Sequence, residues 1–255
     1  MNQSYSRRSG KEFTKIAKEY DKGRSSENVE FWAEETARLT GIDGHSLVLD
    51  LGCGTGLYTV GIEEETGAEL FGMDPVPGML EQARRKKNNV HWFNAVGEYL
   101  PIKEMIFNCI FSSQVWHHIE DKQATADECG RVLRGGGSVV IRTISHDQLN
   151  QKVVFDYFPE IKDNQLSVYP SNEDFVRYFR DAGFRETDFF EYSLERYQSI
   201  EEMIDIARGK LWSMFRPITE EGLKRGINKL KRYHEETGGT PLRNDELITL
   251  VVSRK

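Results

Sequence analysis

A glycine-rich run at residues 50–56 combines the residue types and the spacing that point most directly to ligand chemistry. An apolar run precedes it and a helical pattern follows it, which predicts a tight turn between a buried strand and a helix. Glycine allows a positive φ and a close approach of the backbone to a ligand, and a helix N-terminus favours anionic groups. We therefore expect Gly52, Gly54 and Gly56 to line a binding site, with Cys53 contributing backbone and no nucleophile.

The spacing of this loop excludes two common phosphate-binding motifs. The dinucleotide fingerprint needs a third small residue where this chain has Leu57, and a P-loop needs a Gly-Lys-Ser/Thr sequence that is absent. Asp74 ends the next predicted strand, 22 residues after Gly52 (74 − 52 = 22). A carboxylate at that place can accept two hydrogen bonds from a ribose diol. The loop and this acid together predict a ligand that contains a nucleoside.

The elements that must position these residues follow from the hydrophobic pattern. Short apolar runs alternate with segments of helical spacing, which predicts an α/β fold with a parallel sheet covered on both faces. The predicted strands lie at 47–51, 68–74, 90–95, 105–112, 138–143 and 246–252. The predicted helices of the first part lie at 11–22, 28–40, 58–66, 79–87, 121–133 and 172–181.

The overall composition favours a globular protein and argues against a nucleic-acid partner. The formal charge is 34 − 41 = −7, so a phosphate backbone would be repelled on average. The three cysteines do not make a disulfide framework and indicate reduced thiols in the cytoplasm. No apolar run approaches the ~20 residues that span a bilayer, and the polar N-terminus lacks a signal-peptide core. The oligomeric state is unknown from the sequence.

Six motifs, in order along the chain, resemble those of the class I S-adenosylmethionine-dependent methyltransferases. They lie at 48–56, 71–75, 97–101, 112–119, 131–137 and 181–184. The resemblance covers residues 45–190 and the last strand, and it is closest to the small-molecule enzymes related to the ubiquinone/menaquinone C-methyltransferases. It implies methyl transfer from the cofactor S-adenosylmethionine to a small organic acceptor.

The resemblance also implies the domain organisation. A single methyltransferase domain over 1–255 would have a Rossmann-like, doubly wound, seven-stranded sheet whose last strand is antiparallel. Its parts would be N-terminal cap helices, a cofactor-binding core, a helical lid insertion and a final strand, at 1–44, 45–197, 198–240 and 241–255. In the insertion, one predicted helical face carries Met203, Ala207, Leu211, Met214 and Phe215. Such a face must dock on apolar surface, and we expect it to pack on the aromatic-rich segment 153–197 and to cover the acceptor.

Cofactor contacts are carried over from the family residue by residue. The positions implied are Tyr20, Arg24, Asp50, Gly52, Cys53, Gly54, Gly56, Asp74, Pro75, Met79, Val96, Gly97, Glu98, Ser113 and Gln114. The glycines would approach the amino-acid tail and the ribose, and Asp74 would bind both ribose hydroxyls. Pro75 and Met79 would pack beside the adenine. Ser113 and Gln114 would border the methionyl end. Asp50 would hold the glycine turn or reach the methionyl ammonium through water.

Some of these positions depart from the family pattern or have a second interpretation. Val96 and Gly97 stand where relatives often have Asp-Ala, which leaves adenine recognition to backbone groups or to Glu98. Tyr20 would fold over the cofactor and Arg24 would pair with the methionyl carboxylate, or both would belong to a solvated helix end. The fourth strand also lacks an Asn-Pro-Pro-Tyr sequence, which argues against methylation of DNA adenine or protein glutamine in the family's usual manner.

His117 and His118 are the candidate bases, because histidine titrates near neutrality. They would act only if the acceptor must lose a proton; otherwise one packs under the sheet and the other caps the following helix. The remaining histidines have no metal-ligand spacing, so we expect no metal. A methyltransferase acting on RNA or protein and a non-catalytic S-adenosylmethionine-binding module remain alternatives.

Overall fold

The computed structural model describes Ala17, residues 28–87 and residues 89–255. The positions of Tyr20 and Arg24, with most of the predicted helix 11–22, lie outside the described residues. The helices are α1 Val29–Thr40, α2 Leu57–Thr66, α3 Pro77–Lys86, α4 Lys122–Val132, α5 His146–Asn150, α6 Val154–Tyr157, α7 Lys162–Val168, α8 Asn172–Asp181, α9 Ile200–Gly209 and α10 Glu220–Thr237. The strands are β1 Leu47–Leu51, β2 Glu69–Met73, β3 His91–Phe93, β4 Phe107–Ser113, β5 Leu133–Thr143, β6 Glu186–Leu194, β7 Tyr197–Gln198, β8 Leu242–Arg243 and β9 Glu246–Arg254.

Seven of these strands form one sheet in the order β3-β2-β1-β4-β5-β9-β6. The first five strands in that order pair in parallel. The final strand runs the other way, because Lys255, just beyond its end, exchanges backbone hydrogen bonds with Gly136 and Gly137 near the beginning of β5. The predicted seven-stranded, Rossmann-like sheet with an antiparallel last strand is therefore confirmed.

The strand order reverses between β1 and β4, which pair with each other and from which the sheet continues outward in opposite directions. In open α/β sheets, ligands bind beyond the carboxyl ends of the strands at such a reversal. The glycine-rich loop follows β1 at this position. The fold thus places the predicted ligand loop where a parallel sheet binds its ligands.

Apolar side chains from strands and helices bury one face of the sheet under α4 and α8. The cluster includes Leu49, Leu51, Ile110, Cys129, Val132, Val139, Ile141, Phe175 and Phe179. The alternation of side chains along β1 sends Leu49 and Leu51 to this face and leaves Asp50 for the other. On that face the Asp50 carboxylate accepts a hydrogen bond from Thr59 of α2. This bond fixes the orientation of the helix that begins after the loop.

Two predicted strand boundaries were wrong, one by two residues and the other by five. The predicted strand at 105–112 begins only at Phe107, because Met105 has a left-handed backbone (φ 55°) and bonds to the Arg131 carbonyl. The strand predicted to begin at 138 begins at Leu133, which pairs with Phe107. The three glycines that follow lie within the strand, where its register against β4 shifts between Phe107 and Cys109.

The chain divides into two compact units. One consists of the described residues up to Thr143 with Glu173–Phe189 and Leu250–Lys255, and it holds the glycine loop. The other consists of Ile144–Asn172 and Phe190–Thr249. The proposed division into cap, core, lid and final strand within a single domain stays a prediction.

The second unit has its own apolar core, built largely from the predicted insertion. Met203, Ala207 and Phe215 pack in one cluster with Phe155 and Phe158, so the expected docking on the segment 153–197 is observed. The Ser199 hydroxyl accepts from the Glu202 N–H and begins α9, as the capping pattern predicted.

Leu211 was wrongly assigned to this apolar face. Its side chain is 47% exposed, because α9 ends at Gly209 and Lys210 adopts a left-handed backbone (φ 48°). The chain direction changes there, so the helical period does not continue to Leu211. Whether the insertion acts as a lid stays a prediction.

Candidate functional site

The glycine-rich loop adopts the backbone that its residue types predicted. Gly52, Gly54 and Gly56 have φ values of 79°, 54° and 78°. The N–H groups of Gly52 and Cys53 both donate to the Met73 carbonyl at 2.8 Å, which ties the loop to the end of the neighbouring strand β2. The loop is therefore a defined turn at the carboxyl end of β1.

Side chains of two other segments press on this loop. An alanine Cβ at Gly52 would lie 2.5 Å from Cγ2 of Val115, and one at Gly56 would lie 2.5 Å from Cη2 of Trp92. Both distances are far inside ordinary carbon–carbon contact. Glycine is thus required at both positions for steric reasons as well as for the positive φ.

Asp74 binds the glycine loop directly. Its carboxylate accepts from the Gly54 N–H at 2.9 Å and from the Val76 N–H, at the beginning of α3, at 2.7 Å. Burial raises the pKa of Asp74 to about 6, and the two backbone hydrogen bonds oppose that shift. Each carboxylate oxygen can accept more than one hydrogen bond, so a ribose diol can still bind here.

Asp50 lies one strand away and is buried. Its carboxylate accepts from the Thr59 hydroxyl of α2 at 2.5 Å. Burial raises the pKa of Asp50 to about 7; the Thr59 hydrogen bond lowers it and the nearby Asp74 charge raises it further. The observed hydrogen bond anchors α2, so whether Asp50 also holds the glycine turn or reaches an ammonium stays a prediction.

We expect Asp50→Asn to make the ligand-free protein more stable above pH 7. The folded-state pKa is about 7 against an ordinary 3.8, so the stability that Asp50 contributes is fully present below about pH 3.8 and is lost as the pH rises to about 7. The amide removes this titration and can still accept from Thr59. Urea unfolding at pH 5 and pH 8 should show a gain at pH 8 on the order of 2 kcal/mol.

The control for this experiment is Asp43→Asn. Asp43 is exposed, and a hydrogen bond from the His45 backbone lowers its pKa, so the sign of its linkage is opposite. That variant should gain nothing at pH 8. An Asp50→Asn protein with the same pH slope as the unmodified protein would contradict a buried, titrating carboxyl at this position.

The segment after β3 holds the positions predicted to border the adenine. Gly97 is buried against Thr125, and Val96 is exposed. The Glu98 carboxylate accepts from the Asp121 N–H at 3.3 Å, beside the first turn of α4. The Asn94 amide donates to the Asp74 carbonyl at 2.8 Å, a contact that the sequence pattern did not indicate.

The segment after β4 is held close to β5. The Ser113 hydroxyl accepts from Nη1 of Arg142 at 3.3 Å, and the Gln114 N–H donates to the Arg142 carbonyl at 2.8 Å. Gln114 has a left-handed backbone (φ 55°), which is strained for a residue with a side chain. Such strain is common where a chain is shaped for binding, and this position borders the glycine loop through Val115.

His117 and His118 follow in a short 3₁₀ turn, with ring centroids 3.9 Å apart. His117 is buried and His118 is half-buried. The alternative in which one of them caps the next helix is wrong, because the Asp121 carboxylate accepts from the Ala124 N–H and caps α4. Both rings therefore lie between the end of β4 and a helix that begins without them.

The remaining predicted cofactor contacts that the structure describes are Pro75, Met79 and Cys53, and their roles stay predictions. Met79 is buried in a small cluster with Val76 and Ala17, and Pro75 is exposed. Cys53 is buried, and burial raises the pKa of its thiol well above the usual range, so it is protonated at neutral pH. Across the described residues, no group of three or more metal-binding side chains comes together.

Comparison with known proteins identifies the family. A methyltransferase domain model matches residues 49–141, which contain the glycine loop, Asp74 and both histidines. A demethylmenaquinone methyltransferase of Chlorobaculum parvum is 26% identical over 167 residues, or 58% of this chain and 69% of the relative. Together these matches support a class I S-adenosylmethionine-dependent methyltransferase, with the methyltransferase domain matched over residues 49–141.

Solved structures of methyltransferases share the fold of this chain. A putative methyltransferase from an antibiotic biosynthesis pathway of Anabaena variabilis superposes with a TM-score of 0.71 at 18% identity, covering 87% of this chain and 95% of that one. A Haemonchus contortus phosphoethanolamine N-methyltransferase in complex with S-adenosylhomocysteine gives a TM-score of 0.55 at 18% identity, with 86% and 51% coverage.

The residues of this methyltransferase fit its cofactor, S-adenosylmethionine. The loop has three positive-φ glycines, of which Gly52 and Gly54 keep part of their surface accessible to solvent. A buried carboxylate lies at the end of the adjacent strand, within hydrogen-bond distance of the same loop. A glycine turn beside an acceptor for a diol is what an adenosyl group with an amino-acid tail requires.

Sequence reasoning missed several residues that shape the site. Trp92 and Val115 press on the glycine loop, Asn94 bonds to the Asp74 backbone and Arg142 bonds to Ser113. Only Arg142 left a signal, as a lone charge in the apolar run 138–143. The others became visible through contacts between segments far apart in the chain.

Proposed function

We propose that this methyltransferase transfers the methyl group of S-adenosylmethionine to a small organic acceptor. The observation that carries the proposal is the attachment of the glycine loop to Asp74, which brings a half-buried glycine turn and a diol acceptor together. The name of the Chlorobaculum relative, a demethylmenaquinone methyltransferase, supports an acceptor of small-molecule type. The net charge of −7 supports it against a nucleic acid.

We assign the cofactor-binding roles as follows. The Asp74 carboxylate accepts from the ribose hydroxyls, and the backbone of Gly52 and Gly54 approaches the amino-acid tail. Ser113 and Gln114 border the methionyl end, where the strained Gln114 backbone supports a shaped edge. Glu98, with its carboxylate directed to the Asp121 N–H, is a weaker candidate for adenine recognition than the backbone of Val96 and Gly97.

The mechanism needs little covalent chemistry from the protein. S-adenosylmethionine supplies a methyl group that its sulfonium already activates. The chain must bind and orient the acceptor in line with that methyl group and exclude water, since orientation supplies much of the rate. Where the acceptor must lose a proton, His117 or His118 accepts it, because their turn directly follows the end of β4.

Binding and transfer assays test the proposal in two steps. Calorimetry should show that S-adenosylhomocysteine binds and that NAD does not, since Leu57 occupies the third small position of the dinucleotide loop. A radiolabelled methyl group should then be transferred to members of a panel of phenols, quinols, amines and carboxylic acids. Transfer to RNA or protein alone would contradict the small-molecule proposal, and binding without any transfer would favour the non-catalytic alternative.

For an acceptor that must be deprotonated, we expect one of His117→Asn and His118→Asn to lower kcat about 100-fold or more. The same variant should lose the acidic limb of the pH–rate profile, with the affinity for S-adenosylhomocysteine unchanged. The other variant serves as its control and should alter stability only. Unchanged rates in both would contradict a histidine base.

A location in the cytoplasm is part of the proposal. Cys53, Cys109 and Cys129 are buried free thiols, which supports a reducing compartment. In the part of the chain that the structure describes, no helix combines the length and the apolar composition that crossing a membrane requires.

A further inference from the structure

One side of helix α4 holds the segment that follows β3. The N–H of Asp121, at the N-cap of α4, donates to the Glu98 carboxylate at 3.3 Å. Thr125 lies against Gly97, where an added Cβ would be 3.0 Å from the threonine Cγ2. Glu128 follows Thr125 at a spacing of three. Residues at these spacings are neighbours on a helix surface, so one stripe of α4 borders the segment.

Glu128 and Arg131 form an ion pair that is directed at this segment. Nε of Arg131 lies 2.6 Å from Oε1 of Glu128. Oε2 of Glu128 accepts from the Leu100 N–H at 2.7 Å, and Nη2 of Arg131 donates to the Leu100 carbonyl at 2.9 Å. Nη1 of Arg131 donates to the Ile102 carbonyl at 2.7 Å. The pair therefore satisfies both backbone groups of Leu100 and ties the segment to α4 at two residues.

This arrangement differs from an ordinary ion pair on a helix surface, which contributes little to stability. Glu128 and Arg131 are half-buried, and the planar guanidinium is fixed between a carboxylate and two carbonyls. The buried Leu100 side chain anchors the same segment in the core. The Met105 N–H also donates to the Arg131 carbonyl at 3.0 Å, so the far end is tied to the same helix. The segment thus has one defined backbone path.

The segment held in this way lies beside the cofactor loop. Gly97 is buried, and a Cβ added there would lie 3.7 Å from Cδ2 of Leu51, the last residue of β1. Three residues earlier, Asn94 donates to the Asp74 carbonyl at 2.8 Å. No described residue makes a hydrogen bond with the N–H or the carbonyl of Gly97. Buried backbone groups are rarely left unpaired, so this pair of groups points to a ligand with its own donor and acceptor.

We propose that Glu128 and Arg131 are positioning residues for adenine recognition. By fixing Leu100 and Ile102, they set the place of Gly97, whose N–H and carbonyl match the N1 acceptor and the amino donor of adenine. Proteins recognise bases through hydrogen bonds to this edge. Both side chains act through the backbone that they hold. The inference rests on the proposed function, in which the backbone at 96–97 recognises the adenine.

The experiment measures base preference as well as affinity in the full-length protein. S-adenosylhomocysteine is compared with S-inosylhomocysteine, in which an oxo group replaces the amino group and N1 carries a proton. Both hydrogen-bonding groups of the edge are thereby inverted, so the unmodified protein should prefer the adenine compound at least about 10-fold. Arg131→Gln removes the bonds to both carbonyls. It should weaken S-adenosylhomocysteine about 10-fold or more and lower the adenine preference at least about fivefold.

Conservative variants and a matched control accompany this change. Arg131→Lys keeps one cationic donor that cannot fork between two carbonyls, so its preference should be intermediate. Glu128→Gln keeps an acceptor for the Leu100 N–H and should retain the preference within about threefold, whereas Glu128→Ala should lower it as Arg131→Gln does. Arg177→Gln is the control, because Arg177 pairs with Asp174 at the same spacing on α8; it should change neither affinity nor preference.

The base preference separates a positioning role from a purely structural one. A lower Tm with equal weakening of both compounds would assign the pair to the fold and overturn the inference. An unchanged preference in either Arg131→Gln or Glu128→Ala would do the same. If Arg131→Gln does not fold, the preference of Arg131→Lys decides, and an unchanged value overturns the inference. An unmodified protein without an adenine preference would overturn the adenine role of the segment and the inference with it, whereas failure to bind S-adenosylhomocysteine at all would overturn the proposed function.

Discussion

Alanine at Gly52 is expected to weaken S-adenosylhomocysteine binding about 30-fold or more, because two costs combine. A left-handed backbone costs a residue with a Cβ about 1–2 kcal/mol, and Gly52 has φ 79°. The new Cβ would also lie 2.5 and 2.6 Å from the two methyl groups of Val115. Overpacking of this kind costs about 1–3 kcal/mol, and a total of at least about 2 kcal/mol corresponds to the stated factor.

The loss should appear in affinity more than in stability. Without a ligand, the loop can relax by moving away from Val115, but binding requires it to return to its turn. Calorimetry with S-adenosylhomocysteine and urea unfolding separate the two effects. A Gly52→Ala variant that binds within threefold of the unmodified protein would contradict this account of the loop.

Two control variants separate backbone strain from steric overlap. Gly41 has φ 71°, and a Cβ added there would meet no atom within 4 Å, so Gly41→Ala carries strain alone. It should lower the free energy of unfolding by about 1 kcal/mol and leave the affinity unchanged. Combining Gly52→Ala with Val115→Ala removes the overlap and should restore part of the affinity.

Asp74→Ala is expected to weaken S-adenosylhomocysteine binding about 10- to 150-fold, since hydrogen bonds to a charged group contribute about 1.5–3 kcal/mol. The structure adds a second effect, because the same carboxylate accepts from the Gly54 and Val76 N–H groups. Its loss should therefore also lower the free energy of unfolding, by about 1–3 kcal/mol. An unchanged dissociation constant would assign Asp74 to the turn alone.

Asp74→Asn and Asn94→Ala are the matched variants for this prediction. The asparagine keeps one acceptor oxygen and should bind with intermediate affinity. Because the pKa of Asp74 is about 6, affinity in the unmodified protein should fall as the pH drops below that value, and Asp74→Asn should lack this fall. Asn94→Ala removes only a hydrogen bond to the Asp74 carbonyl and should leave affinity within threefold.

The parts of the site that could be predicted from the sequence are those with local causes. Positive φ at Gly52, Gly54 and Gly56 follows from a property of glycine itself, and the turn follows from a strand that must end there. The cap at Ser199 is local in the same way. The prediction was wrong at Leu211, because the left-handed position that ends the helix is occupied by Lys210, a residue type that rarely adopts this backbone.

The sequence by itself determined the α/β fold, six of the seven strands of the sheet, the glycine loop and its acid, because periodic burial and backbone restrictions act within a few residues. Only the tertiary structure decided that Val115 and Trp92 press on that loop, that Asp74 binds Gly54 and that Arg142 lies beside Ser113. These pairs are brought together by strand order, register and packing. The sequence around one residue of such a pair does not specify its partner. Each contact depends on how neighbouring strands and the loops between them fill the space at the edge of the sheet.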